Sequence, residues 1–329
     1  MEYQDIYLEP ACNAVDSRSH IDVSCEFLGR TFSLPVLPAN MPCVIDNHIA
    51  RQCLSLNVPY ILSRYLPAFA GAQTVFELMQ TPEYKKNPFL SISVGLKTNI
   101  KLYKDFPINW FTVDVAHGAS KAMAEKAKQI KDSFPTAKVI AGNIGSYAGA
   151  SFLDQCREID AIKAGIARGG ACSTYGKTGF ASPMVSLIKD LVGLKKPLII
   201  DGGIKSNGDF AKALAVFLSE AYECGFSFKN NSVKMPLVMA GSVFAACCDS
   251  PAKVIDEDKK LYYGNASEWN KLMNGEAAVN IEGQVVHLSI NKLRFADKIN
   301  EIQQDLQSSV SYAGGRKLHH LGLAAVKTW

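Results

Sequence analysis

Eight short apolar runs, each closed by glycine or polar residues and followed by a helix-like segment, govern what this chain can fold into. They are Leu34–Leu37, Pro59–Leu62, Phe89–Val94, Trp110–Val115, Lys138–Ala141, Ala161–Ile166, Pro197–Ile200 and Pro236–Met239. Each is rich in Val, Ile, Leu or Phe with little alternation, the pattern of strands covered on both faces. Between them lie helical periods. Ser120–Phe134 sets Met123, Ala127, Ile130 and Phe134 on one stripe, with Lys121 and Lys128 opposite. Asn207–Cys224 repeats the pattern with Phe210, Ala213, Leu214 and Phe217. Eightfold strand–helix alternation in 329 residues predicts an α/β chain forming one (β/α)8 TIM barrel over residues 1–329. An open doubly wound sheet is the alternative that alternation alone leaves.

Hydrophobic residues make up 48% of the chain and charged residues 20%, enough material for a large core. The net charge of +4 is small and dispersed. Lys121, Lys128 and Lys131 fall at the spacing of a solvated helix face, so no nucleic-acid partner is expected. The first ten residues lack a basic patch followed by an apolar run, and no apolar stretch is long enough for a membrane span. Nine scattered cysteines without a CxxC pair suit reduced thiols and a cytoplasmic setting, rather than disulfides or zinc.

In barrels the chemistry gathers where strand C-termini open into loops. The residues to read are therefore Ala39-Asn40-Met41, Ser63-Arg64, Gly95-Leu96-Lys97, Asp114 through Gly118 and Gly142-Asn143. The list continues with Ala167 to Ser182, Asp201-Gly202-Gly203 and Gly241-Ser242. After Ser242 comes a short helix, then a polar stretch from 249 to 284 with no clear period, read as a mobile active-site flap. Leu293–Val310 reads as a closing helix, with Phe295, Ile299, Ile302 and Leu306 on one face.

Two constellations carry chemistry. Glycines at 202, 203 and 241, after the seventh and eighth strands, allow backbone N–H groups to approach a phosphate, and Ser242 adds a hydroxyl. Asp201 before them suits a ribose diol. The plainer alternative is a turn and a helix cap. After the sixth strand, Cys172 lies on a glycine-rich loop with hydroxyls at Ser173 and Thr174, a setting for a nucleophilic thiolate as well as for a structural cysteine.

Here a resemblance becomes specific. Lys163–Thr178 resembles the catalytic cysteine loop of the IMP dehydrogenase and GMP reductase family. Asp201-Gly202-Gly203-Ile204 and Met239-Ala240-Gly241-Ser242 resemble its ribose and phosphate motifs. Tyr263-Gly264-Asn265-Ala266-Ser267 is similar to the flap segment that reads the purine, and Asn280-Ile281-Glu282-Gly283 to the reductase branch's flap element. Pro38-Ala39-Asn40-Met41, Asp114 through Gly118, Ala141-Gly142-Asn143 and Ser311-Tyr312-Ala313-Gly314-Gly315 also match, in family order.

The resemblance implies NADPH-dependent reductive deamination of GMP to IMP and ammonia. Cys172 would attack the purine C2, and Thr174 and Glu282 would carry the proton for the leaving amine. It places Asp201, Gly202, Gly203, Gly241, Ser242, Gly264, Asn265, Ala266, Ser267 and Met41 on the nucleotide. It places Asp114, Ala116, His117, Gly118, Lys97 and Asn143 on the nicotinamide side. It further implies a potassium ion on the carbonyls of Gly165 and Gly169, and a homotetramer. The reductase branch is favoured because no regulatory insert follows the second strand and no arginine–tyrosine pair lies between Tyr262 and Gln284. The alternatives are an IMP dehydrogenase, a reductase of another purine (deoxy)nucleotide, or a purine-nucleotide-binding protein of weak catalysis.

The chain also departs from the family. The loop usually reads Gly-Ile-Gly-Pro-Gly-Ser, and here it reads Gly165-Ile166-Ala167-Arg168-Gly169-Gly170. Alanine tolerates positive φ poorly, Gly170 lacks a serine's phosphate contact, and Arg168 reads as an exposed loop residue. The segment 221–234, longer than usual, reads as an exposed loop carrying Asn230-Asn231-Ser232.

Overall fold

The structure, a computed structural model, describes residues 1–13, 15–65, 68–226 and 233–329. Strands β1 (Ile6–Glu9), β2 (Cys25–Phe27), β3 (Arg30–Phe32) and β4 (Val36–Pro38) come first. Then follow β5 (Ser91–Val94), β6 (Trp110–Asp114), β7 (Lys138–Ile144), β8 (Ala161–Ala164), β9 (Leu198–Asp201) and β10 (Leu237–Ala240). The last are β11 (Val254–Asp256), β12 (Lys259–Tyr263), β13 (Val285–Ser289) and β14 (Ala325–Thr328). The helices are α1 (Asn47–Leu56), α2 (Ala68–Met79), α3 (Pro82–Lys86), α4 (Lys121–Ser133), α5 (Tyr147–Asp154) and α6 (Thr174–Thr178). They continue with α7 (Met184–Asp190), α8 (Asn207–Glu223), α9 (Ser242–Ala245), α10 (Glu268–Met273) and α11 (Phe295–Tyr312).

Seven strands form one parallel sheet in the order β4-β10-β9-β8-β7-β6-β5. The first run therefore pairs with the eighth, as a barrel requires and a doubly wound sheet does not. Pro59–Leu62 completes the set through a single parallel bridge from Leu62 to Ile92. Leu62 N–H donates to Ser91 O at 2.9 Å, and Leu62 O accepts from Ser93 N–H at 2.8 Å. Its shortness has a cause, since Pro59 lacks a donor for the ladder. The fold is the (β/α)8 barrel that the alternation predicts.

Local chemistry sets the helix starts. Ser120 accepts from Met123 N–H at 3.2 Å ahead of α4, and Asp46 accepts from Ile49 N–H at 2.9 Å ahead of α1. The β2–β3 hairpin covers one end of the barrel, setting the Phe27 and Phe32 rings each 5.6 Å from Trp110. β1 and β14 pair antiparallel.

The stretch after α9 differs from the expectation of an unpatterned flap. β11, β12 and β13 form an antiparallel sheet, and α10 lies between the last two strands. The sequence conceals β12 because Lys260 is buried on a strand that otherwise reads as polar and aromatic. Its ammonium donates to the carbonyls of Cys247 at 2.7 Å, Cys248 at 3.0 Å and Ser250 at 3.1 Å, and to Ser250 Oγ at 2.8 Å. Those acceptors replace water and make the burial tolerable. Residues 221–223 finish α8, and the predicted loop at Asn230–Ser232 lies outside the described residues.

Candidate active site

A cavity of about 460 Å³ is lined by the ends of the barrel strands and by the segment after α9. The loop leaving β8 shapes it. Gly165 sits at φ +138°, and a Cβ there would lie 1.8 Å from the Asp201 carbonyl, so only glycine fits. Ala167 adopts φ +61°, the left-handed conformation that its alanine opposes.

The loop then runs alongside the flap and pairs with it. Ser173 N–H donates to Glu282 O at 2.9 Å and Gln284 N–H to Ala171 O at 2.9 Å. Across this seam the Cys172 thiol donates to Thr174 Oγ1 at 3.1 Å, and the Thr174 hydroxyl donates to Glu282 Oε2 at 2.9 Å. A thiol, a hydroxyl and a carboxylate thus form a continuous hydrogen-bonded chain lining the cavity, an arrangement suited to general acid–base work. Gly264 N–H donates to Gln284 O at 3.2 Å, tying the predicted base-reading segment to the same seam.

Opposite the thiol lies a buried ionic network. Lys163 Nζ bridges Asp114 Oδ1 and Asp201 Oδ2, each at 2.9 Å. Asn143 Nδ2 also donates to Asp201 Oδ2 at 2.8 Å and to Gly165 O at 2.8 Å. Burial pushes the Asp114 carboxyl up, but the Lys163 ammonium and the Arg64 guanidinium outweigh it and hold the group below its ordinary range. Burial likewise disfavours the Lys163 charge, and the two carboxylates reverse the balance and hold its pKa above that of an ordinary lysine. Asp114 is therefore ionised beside a fixed cation.

Met41, Asp114, Ala116, Asn143, Gly165, Gly169, Cys172, Thr174, Asp201, Gly264, Asn265, Ala266 and Glu282, all anticipated, line this one cavity. Other anticipated residues stand behind it. Gly202 and Gly203 lie against Arg168 and the Tyr3 ring, and Gly241 lies under the Tyr262 hydroxyl, with Ser242 opening α9. Ser267 is buried and caps α10, accepting from Asn270 N–H at 3.2 Å, so its hydroxyl is engaged away from a base. Gly118 packs on the Gly142 backbone, whereas His117 and Lys97 are exposed outside the cavity lining. Gly165 O accepts from Asn143 and Gly169 O from Cys172 N–H. Arg168 is half-buried and ion-paired with Glu2, contrary to its reading as an exposed loop residue.

Lys163 was hidden inside an apolar run. A lysine within a doubly covered strand is itself a signal, since it needs buried anions. Arg64, Tyr262, Lys271 and Glu276 also line the cavity without having been singled out as site residues. The Tyr262 phenol is pushed far up by burial and stays neutral, a hydrogen-bond donor.

A parallel barrel with a cysteine, a hydroxyl and paired carboxylates lining a cavity at its strand ends belongs to the class of barrels that hold small molecules there. Comparison with known proteins makes the class particular. The family model for the IMP dehydrogenase / GMP reductase domain matches residues 1–326. A GMP reductase of Oceanobacillus iheyensis is 37% identical over 329 aligned residues, covering 96% of this chain and 92% of that protein. A GMP reductase of Bacillus subtilis is 36% identical over 330 aligned residues, covering 97% and 92%. The chain belongs to the IMP dehydrogenase / GMP reductase family, a family of oxidoreductases.

Proposed function

We propose that this protein reduces GMP to IMP and ammonia with NADPH, through a covalent intermediate on Cys172. The observation that carries the reading is the Cys172–Thr174–Glu282 chain across the loop–flap seam. In the first half-reaction the Cys172 sulfur bonds to the purine C2. A proton relayed from Glu282 through Thr174 reaches the 2-amino group, the C2–N bond breaks and ammonia leaves. In the second, C2 would take the hydride that bound NADPH supplies, the C–S bond breaks with its electron pair on sulfur, and IMP is released. Overall one proton is consumed per ammonia released, and a second when the ammonia becomes ammonium. An exocyclic amine leaves poorly as an anion, which is why the relay matters.

Lys163 holds Asp201 toward the ribose side and Asp114 toward the nicotinamide side. Asp201 Oδ2 is engaged by Lys163 and Asn143, so Oδ1 faces the ribose hydroxyls. For a monovalent cation, the Gly165 and Gly169 carbonyls each keep one lone pair beyond the hydrogen bond they accept. We propose potassium there, tested by the dependence of rate on potassium against sodium.

A homotetramer is part of the same proposal. It is supported by exposed Tyr175, Phe180, Leu272 and Met273 around the mouth, and light scattering that shows a monomer ends it. A cytoplasmic setting is proposed from nine free cysteines. Among the described residues no helix is long and apolar enough to cross a membrane.

The test mixes protein, GMP and NADPH and follows the reduced cofactor's absorbance, with IMP and ammonia measured in the same tube. Stoichiometric IMP supports the reading. Turnover only with dGMP or another purine nucleotide moves it to a different substrate, and binding without any turnover leaves a binding protein.

A further inference from the structure

The nucleophile loop departs from its family at Ala167 and Arg168, and there it meets a part of the chain that the reaction does not otherwise use. The Arg168 guanidinium pairs with Glu2 through Nη2 to Oε1 at 3.2 Å, with side-chain exposures of 27% and 26%. Its Nε donates to Ser182 O at 2.9 Å. The Arg168 carbonyl accepts from Gly203 N–H at 3.0 Å, and its Cβ lies 2.8 Å from where a Cβ on Gly202 would stand. One residue therefore touches the nucleophile loop, the ribose loop and residue 2.

Residues 1–3 are fixed in turn. Glu2 Oε2 accepts from Met184 N–H at 3.4 Å, and Met1 O accepts from Val185 N–H at 3.1 Å. The Tyr3 ring lies 3.1 Å from the Cβ position of Gly203, and Tyr3 O accepts from Lys212 Nζ at 2.8 Å.

We infer that the Glu2–Arg168 pair is a latch that sets the nucleophile loop against the ribose loop, making both positioning residues of the active site. The need for a latch follows from Ala167. Its left-handed conformation is unfavourable for an L-residue, so the loop relaxes unless something on its far side holds it. A guanidinium suits the task because its planar fork fixes its N–H directions, here one to the Glu2 carboxylate and one to the Ser182 carbonyl. The inference rests on Cys172 being the nucleophile of a purine-nucleotide reductase.

The test compares Glu2→Gln, Arg168→Ala, the double variant and Arg168→Lys in the full chain. Three quantities are read: the alkylation rate of Cys172 by iodoacetamide without nucleotide, KM and kcat for GMP with NADPH, and the melting temperature. Peptide mass assigns the label, because Cys12, Cys224 and Cys248 are also exposed. Each single variant is expected to speed alkylation and raise the GMP KM about three- to tenfold, with kcat changed less, as coupled neighbours do. The double variant should be no worse than Arg168→Ala, and Arg168→Lys should recover part of the loss. The latch is overturned if alkylation and KM stay within about twofold of wild type while only the melting temperature falls, or if the single effects multiply. If Arg168→Ala fails to fold, Glu2→Gln with Arg168→Lys decides. Wild-type protein that does not turn over GMP defeats the functional reading, and the alkylation arm still judges the latch.

Discussion

The Thr174 hydroxyl donates to Glu282 Oε2 across 2.9 Å, joining the Cys172 loop to a flap residue 108 positions later. Thr174 Oγ1 in turn accepts from the Cys172 thiol at 3.1 Å. In the proposed mechanism a proton leaving sulfur and a proton reaching the leaving amine would share this path. Thr174→Ala and Glu282→Gln should each lower kcat by about 10²–10⁴-fold, the range of positioned acid–base groups. Both should leave nucleotide affinity within about threefold. The double variant should lose little more than either single one, because a broken relay cannot be broken twice. Steady-state rates with equilibrium binding of GMP check this, and multiplicative losses would dissolve the relay.

The Lys163 network makes a prediction with pH. Asp114 is held low, so the stability it contributes is complete above the ordinary carboxylate range and lost only as pH falls through its depressed value. Lys163 is held high, so its contribution is complete below the ordinary lysine value and lost only as pH rises through its raised one. Wild-type stability should therefore be flat in this respect across neutral pH. Lys163→Met leaves two carboxylates facing without their cation, which raises their pKa values. The variant should be less stable by about 3–5 kcal/mol, and its stability should begin to fall at a higher pH than the wild type's. Melting curves taken from about pH 4 to 8 read this directly, and parallel curves for the two proteins would refute it.

The barrel was legible because strands covered on both faces carry apolar runs without alternation, and eight of them recur at barrel spacing. The seam between Cys172 and Glu282 was not legible from spacing. No local pattern joins residues so far apart, and only the family resemblance placed them together. Lys163 and Lys260 escaped for a common reason. Each sits in a strand that buries its stem and satisfies its ammonium by contacts from distant segments, carboxylates for one and carbonyls for the other. Arg168 was misread in the opposite sense, since a partner at residue 2 claims a side chain that its loop context points outward.

Ala167 at φ +61° offers a stability test in the loop that carries Cys172. Ala167→Gly removes the left-handed penalty of roughly 1–2 kcal/mol, while glycine's freedom in the unfolded chain returns about 0.4–1 kcal/mol. A net gain of roughly 0–1.6 kcal/mol is expected, a rise of at most a few °C in melting temperature for a chain this long. Differential scanning calorimetry checks it. A clear loss of stability would mean that the left-handed conformation costs the loop nothing.

Gly241 supplies the most specific steric prediction. A Cβ there would stand 2.3 Å from the Tyr262 hydroxyl oxygen and 3.2 Å from its Cζ. The first distance is impossible and the second only tight, so the clash belongs almost wholly to the hydroxyl. Gly241→Ala should displace the Tyr262 ring, which lines the cavity and packs its hydroxyl 3.7 Å from Met41 Sδ. Core overpacking of this kind costs typically about 1–3 kcal/mol, and here it should appear as a raised KM for the mononucleotide along with lowered stability. Tyr262→Phe removes the offending oxygen while keeping the ring. The double variant Gly241→Ala with Tyr262→Phe should then regain most of the stability lost by Gly241→Ala alone. It should not regain full nucleotide affinity if the buried, neutral Tyr262 phenol donates to the substrate. A double variant as unstable as Gly241→Ala would show that the clash lies with the backbone around β10 instead of with Tyr262.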